Sequence, residues 1–200
     1  MKLHEIAKLT QPEHEQFKIN RKNIEQWLTR VGVKNFIIDP DTNVVNVDGN
    51  VDLARKTFEI LPVQFGYVDG HFFLAKCSRL KTLRGSPHTV SGTFKCYSTP
   101  ISSLEGAPEI VGESFVCDGM PNLKSLSGID KIVHDIRGGF VCSNNVTHIL
   151  GLILIKGLQG VDIDSRGPID EIMNKYVGTG DILSAQDELI DEGFIDQARL

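Results

Sequence analysis

Apolar positions along the chain recur in a fixed frame. Between Val90 and Pro108 the order is V-S-G-T-F-K-C, then Y-S-T-P-I-S-S-L-E-G-A-P. The first part alternates as a short strand does, and the pair Ile101 and Leu104 with Gly106 after it predicts a turn back. Taking the first apolar residue of V-x-G, the frame recurs at Val47, Val68, Val90, Val111, Ile136 and Leu158, with spacings of 21, 22, 21, 25 and 22 residues. The glycine that follows is Gly49, Gly70, Gly92, Gly138 and Gly160, with Glu113 the exception. The next inward position reads Val51, Phe72, Phe94, Phe115 and Phe140, and the one after it Leu53, Leu74, Cys96, Cys117 and Cys142. The second halves carry Phe58 with Leu61, Leu80 with Leu83, Ile101 with Leu104, Leu123 with Leu126, and Val146 with Ile149. The sixth unit is degenerate by this count, since Asp162 stands where Phe belongs.

A period of roughly 20 to 29 residues with one strand per unit predicts a solenoid, because each unit has one apolar face and hides it only by stacking on its neighbours. Stacking makes a parallel sheet and turns the Phe, Cys and Leu positions into columns through the core. The flanks read differently. From Asn20 to Gly32 the residues Ile24, Trp27, Leu28 and Val31 lie on one helical face, with Asn20 as N-cap and Gly32 just past the end. Asn35 to Asp39 predicts a short strand closed by a turn at Pro40. After the repeats, Pro168 opens a helix carrying Ile169, Ile172, Met173 and Tyr176, broken at Gly178-Thr179-Gly180. Asp181 caps a second helix with Ile182, Ala185, Leu189 and Ile190, and a last turn carries Phe194, Ala198 and Leu200.

The expected fold is therefore an α/β repeat, a short leucine-rich-repeat-like solenoid with a parallel sheet, capped by an N-terminal helix and two to three C-terminal helices. It forms one domain, with an arm at 1–19, a helical cap at 20–34, the solenoid at 35–165 and a helical cap at 166–200.

The unit V-x-G-x-F-x-C-x-x-N-x-L-x-x-L-x-G, seen best from Ile136 to Gly151 with Cys142, Asn145, Val146 and Ile149, resembles a leucine-rich repeat of the short bacterial-effector kind. The phrasing V-x-G-x-F-x-C with S-L-E-G-A-P at Ser103 to Pro108 is closer still to leucine-rich-repeat-like proteins of T4-type tailed bacteriophages. The likeness runs from about Asn20 to Leu200 and includes N-K-Y-x-G-x-G-D-I-L at Asn174 to Leu183. It implies a phage-encoded protein and carries no settled activity. Effector ligases of similar build add a catalytic cysteine domain, but no cysteine follows Cys142.

If Phe and Cys point inward, the residues between them point out. That face then carries His71, Phe73 and Ala75, then Thr93, Lys95 and Tyr97, then Ser114, Val116 and Asp118, and finally Gly139, Val141 and Ser143. The candidate protein-binding residues are His71, Phe73, Thr93, Lys95, Tyr97, Ser114, Val116, Asp118, Val141 and Ser143, because Phe73, Tyr97, Val116 and Val141 are more apolar than a solvated strand needs.

Charge narrows the choice of partner. A net charge of −5 with mixed signs argues against nucleic acid, which needs a basic stripe. No apolar run reaches the roughly 18 residues of a membrane span, the longest being Ile149 to Ile155, and no signal peptide opens the chain, so an intracellular location is expected, the host cytoplasm or a virion. Cys77, Cys96, Cys117 and Cys142 form no C-x-x-C pair and are expected to remain core thiols without metal. The histidines at 4, 14, 71, 88, 134 and 148 show no catalytic or metal spacing. Asp162 and Asp164 suit a sheet edge kept soluble by charge, Gly178-x-Gly180 is too short for a phosphate loop, and the acidic run from Asp187 to Asp196 reads as a solvated helix face. The expectation is a non-enzymatic, cofactor-free solenoid that binds a host or phage protein. A self-associating virion or assembly component is the alternative, and a small-ligand protein with a pocket where caps meet solenoid is the third reading.

Overall fold

The computed structural model describes residues 21–143, 145–163 and 165–200. The arm at 1–19, the N-cap assigned to Asn20 and the Asp164 position lie outside the described residues.

Among the described residues the repeats coil into a solenoid with a parallel sheet on each of two sides. The first sheet is ordered β1 (Phe36–Ile38), β2 (Val45–Asp48), β4 (Phe65–Asp69), β6 (Thr89–Val90), β8 (Ile110–Val111), β10 (Asp135–Ile136). The second is ordered β3 (Val51–Asp52), β5 (Phe72–Phe73), β7 (Phe94–Lys95), β9 (Phe115–Cys117), β11 (Gly139–Cys142), β12 (Gly160–Asp162). All neighbours pair in parallel except β1, which runs antiparallel to β2 and closes that sheet's edge. The segment V-x-G-x-F-x-C is thus two strands per unit where one was expected. The glycine corner between them turns the chain from one sheet to the other, and the L-x-x-L half closes the third side.

The corner explains Glu113. In the fourth unit the residue that cannot carry a side chain is Gly112, where an added Cβ would lie 2.0 Å from the carbonyl oxygen of Ser91. With glycine one position early, the next residue is free to be glutamate. The spacing of 25 has an equally local cause, because that unit houses a one-turn helix between β9 and β10, at Ile129–Ile132.

The core columns form as the repeat demands. Phe72, Phe94, Phe115 and Phe140 are in register across the second sheet. Their rings follow one another at centroid separations of 6.0, 5.0 and 5.3 Å, all fully buried. Trp27, in the N-terminal helix α1 (Arg21–Val31), meets Phe65 at 6.4 Å and Phe65 meets Phe72 at 5.1 Å, so one aromatic spine runs from the first cap into the fifth turn. Burying each phenylalanine contributes about 2 to 3 kcal/mol.

The sixth turn corrects the sequence count. Phe140 pairs with Val161, and Val141 with Asp162, so valine continues the phenylalanine column and Asp162 points to solvent. The step is 21 residues on both sides of the corner, from Asp135 to Lys156 as from Phe140 to Val161, so the corner keeps its length and Gly157, not Leu158, takes the place of Ile136.

That last strand would leave an open edge. Helix α2 (Pro168–Tyr176) covers it with polar side chains that stand in for a further strand. Asn174 accepts from the Val161 N–H at 2.8 Å and donates to the Val161 carbonyl at 3.0 Å, while the buried Asp170 accepts from the N–H groups of Ile163 at 2.6 Å and Arg166 at 2.7 Å. The expected protection by Asp162 charge is therefore secondary to side-chain pairing. Helix α3 (Ile182–Asp191) begins at Asp181, whose carboxylate accepts from the Ser184 N–H at 3.1 Å, and buries Ala185 and Leu189. Two helices form the C-terminal cap, and after them Ala198 is buried while Leu200 is exposed. No helix among the described residues is long and apolar enough to cross a membrane.

Candidate functional site

The second sheet puts the residues between its inward Phe and Cys positions onto one outer surface. Phe73, Lys95, Val116 and Val141 form a single row across β5, β7, β9 and β11. His71, Thr93, Ser114 and Gly139 form the row before it, and Tyr97, Asp118 and Ser143 belong to the row after it. Each of the ten candidate residues lies on this surface, half-buried except for the exposed Asp118. Ala75 is the correction: it is 4 % exposed, a methyl group sunk beside the larger Tyr97 of the next turn.

Side chains tie the face together across turns. The Thr93 N–H donates to His71 Nδ1 at 2.9 Å, which places the ring proton on Nε2 and leaves Nδ1 with no proton for the Glu113 carboxylate 3.6 Å away. Glu113 instead accepts from the Thr93 hydroxyl at 2.7 Å. The His71 ring stacks on Phe73 with centroids 5.6 Å apart and planes 9° from parallel, and Lys95 Nζ stands 5.1 Å from the centre of the same Phe73 ring. Lys76 Nζ lies 5.9 Å from the Tyr97 ring centre. At the other end, Ser143 donates to Asp118 at 2.8 Å and accepts from the Gly119 N–H at 2.8 Å. The middle row is thus apolar at Phe73, Val116 and Val141 and interrupted by Lys95, with Lys76 nearby towards the N-terminal turns and Asp118 and Asp162 towards the C-terminal ones. This order of charge follows the repeat, since each turn adds one residue to every row.

Beside β11 and β12 the face dips into a groove of about 450 Å³ against α2, lined by Gly139, Val141, Gly160, Asp162, Arg166, Glu171 and their neighbours. Sequence reasoning placed a pocket only in general terms at the cap junctions. The register of β12 was the missing information, because the groove exists where Gly139 and Gly160 pair side by side.

A second arrangement escaped the histidine spacing. His88 Nε2 and His134 Nδ1 lie 3.1 and 3.4 Å from the same Glu109 carboxylate oxygen, on the outer side of the first sheet. Their separations of 21 and 25 residues are the repeat spacings of Val90, Val111 and Ile136, so the period itself was the signal. Among the described residues no group of histidine, cysteine, aspartate or glutamate side chains is placed to hold a metal. Cys96, Cys117 and Cys142 are buried free thiols, with Cys117 in register with Cys142. Burial pushes the thiols of Cys96 and Cys117 upward, Cys117 further by its contact with Cys142, so both stay protonated and packed. Cys77, off that column, is buried and donates to the Leu53 carbonyl at 3.2 Å.

No family model matches the chain, and no curated protein or solved structure matches it.

Proposed function

We propose that the outer face of the second sheet is a docking surface for another protein, and that the chain acts by binding rather than by catalysis. The observation that carries this reading is the row Phe73, Val116 and Val141 flanked by Tyr97. These are apolar side chains, half-buried on a parallel strand face, interrupted by Lys95 and rimmed by His71 and Asp118. A strand face turned only to water has no use for such a row, whereas interfaces combine an apolar centre with a polar rim. Hydrogen bonds and stacking hold His71, Phe73 and Thr93 in place before any partner arrives, which lowers the ordering cost of binding. The resemblance to tailed-phage repeat proteins supports a host or phage protein as partner, inside the host cell, whose activity the solenoid modulates.

The test is capture of a partner by the wild-type chain and by Phe73→Ala/Tyr97→Ala/Val116→Ser, with folding checked by thermal denaturation. Loss of a specific partner by a variant that keeps its fold supports the reading. Retention of the same partner removes the face from consideration.

A second reading, assembly through self-association, draws on the terminal cap, where Leu183 is 70 %, Ile195 60 % and Leu200 69 % exposed. Sedimentation equilibrium separates the two, because self-association raises the mass of the purified chain alone and hetero-binding does not.

A further inference from the structure

The row that precedes the phenylalanine column reads Asn50, His71, Thr93, Ser114, Gly139 and Gly160. Four side chains are followed by two glycines in register. The two glycines differ in what the fold asks of them. At Gly160 an added Cβ would come within 3.0 Å of Asn174 Oδ1, the atom that accepts from the last strand, so glycine there serves the cap. At Gly139 the backbone is not left-handed, and an added Cβ would meet nothing nearer than 3.6 Å. The fold has no need of glycine at 139. What a side chain there would occupy is the groove.

We infer that this groove receives a lysine or arginine side chain from the protein that docks on the face, an inference that rests on the docking surface proposed above. Its floor is backbone and aliphatic, from Gly139, Val141 and Gly160, which suits a methylene stem. The lining also holds the exposed carboxylates of Asp162 and Glu171, neither in an ion pair among the described residues. Glu171 is within electrostatic reach of Lys175, but that ammonium bonds to Glu188. Arg166 is the one cation in the lining. It is outnumbered by the two exposed carboxylates, and the adjoining cavity of about 350 Å³ adds Asp118 beside Asp162. An incoming acidic side chain meets a net repulsive field, and an incoming basic one a net attractive field. The apolar neighbours Val116 and Val141 lie directly alongside, so one partner segment can cover Val141 and place a basic residue in the groove.

The experiment is a titration of the full chain with N-acetyl-arginine amide, followed through the backbone amide signals of Gly139 and Gly160 by NMR, with N-acetyl-glutamate amide as the opposing arm. The expected result is a saturable shift with the arginine compound that is at least fivefold weaker with the glutamate compound. It should be lost in Gly139→Thr, which fills the groove, and in Asp162→Asn/Glu171→Gln, which keeps its shape without its charge. Absence of a saturable shift at these two amides, an equal response to the glutamate compound, or undiminished binding by the charge variant overturns the inference. Phe73→Ala/Tyr97→Ala should bind the arginine compound as the wild type does. If that variant loses the protein partner while no arginine binding is seen at the groove, the docking face stands and the basic anchor fails.

Discussion

The side-chain amide of Asn174 pairs with both polar groups of Val161, accepting from its N–H at 2.8 Å and donating to its carbonyl at 3.0 Å. A single residue of α2 thereby ends the second sheet as a neighbouring strand would. Replacing it by leucine leaves two groups of a largely buried strand without partners. Asn174→Leu should destabilise the chain by about 1 to 3 kcal/mol, with Asn174→Asp, which keeps only the acceptor, less affected. Hydrogen exchange at the Val161 amide checks the mechanism, and unchanged protection there in Asn174→Leu contradicts it.

The phenylalanine column makes a sharper demand on stability. Phe115 lies between Phe94 at 5.0 Å and Phe140 at 5.3 Å and is fully buried. Phe115→Ala opens a cavity that neighbouring turns cannot collapse into without breaking their own register. A loss of about 3 to 5 kcal/mol is expected by denaturant titration.

Helices α2 and α3 are joined by a group that titrates. The Lys175 ammonium, and after it the Tyr176 hydroxyl, hold the Glu188 carboxyl below its usual value of 4.5. A carboxyl depressed in the folded state stabilises above its unfolded value, and this contribution is lost as pH falls through the folded value. Glu188→Gln should therefore lower Tm at neutral pH, and its difference from the wild type should shrink once the pH drops below about 4.5. A difference that stays constant down to acid pH argues that the carboxylate charge is not what joins the helices.

The bond from the Thr93 N–H to His71 Nδ1 fixes a tautomer. Long-range nitrogen–proton correlation spectra at neutral pH should show the ring proton on Nε2. A proton on Nδ1 would mean that His71 turns toward Glu113 instead, and the order on this part of the face would have to be redrawn.

Much of this architecture was legible because a solenoid repeats its instructions. The columns of Phe94, Phe115 and Phe140, the caps with Trp27 and Met173, and the outward rows all follow from the period. What was hidden has local causes. A corner at Gly49 or Gly70 looks the same in sequence as a glycine within a strand, so two sheets read as one. In the last turn the place of Ile136 falls on the glycine Gly157, so counting from the apolar Leu158 moved the last register by one residue and hid the pairing of Gly139 with Gly160 that opens the groove. Asn174 carries no period at all, and its role appears only when α2 is folded against β12. His88, Glu109 and His134 were separated by repeat lengths, but they are not part of the apolar frame by which the repeat was counted.

The face itself is tested most directly by comparing proteins captured by the wild type with those captured by Phe73→Ala/Tyr97→Ala/Val116→Ser, at matched thermal stability. The account predicts a specific partner retained by the wild type and lost by the variant. The same partner held equally by both, or none held by either, would contradict it.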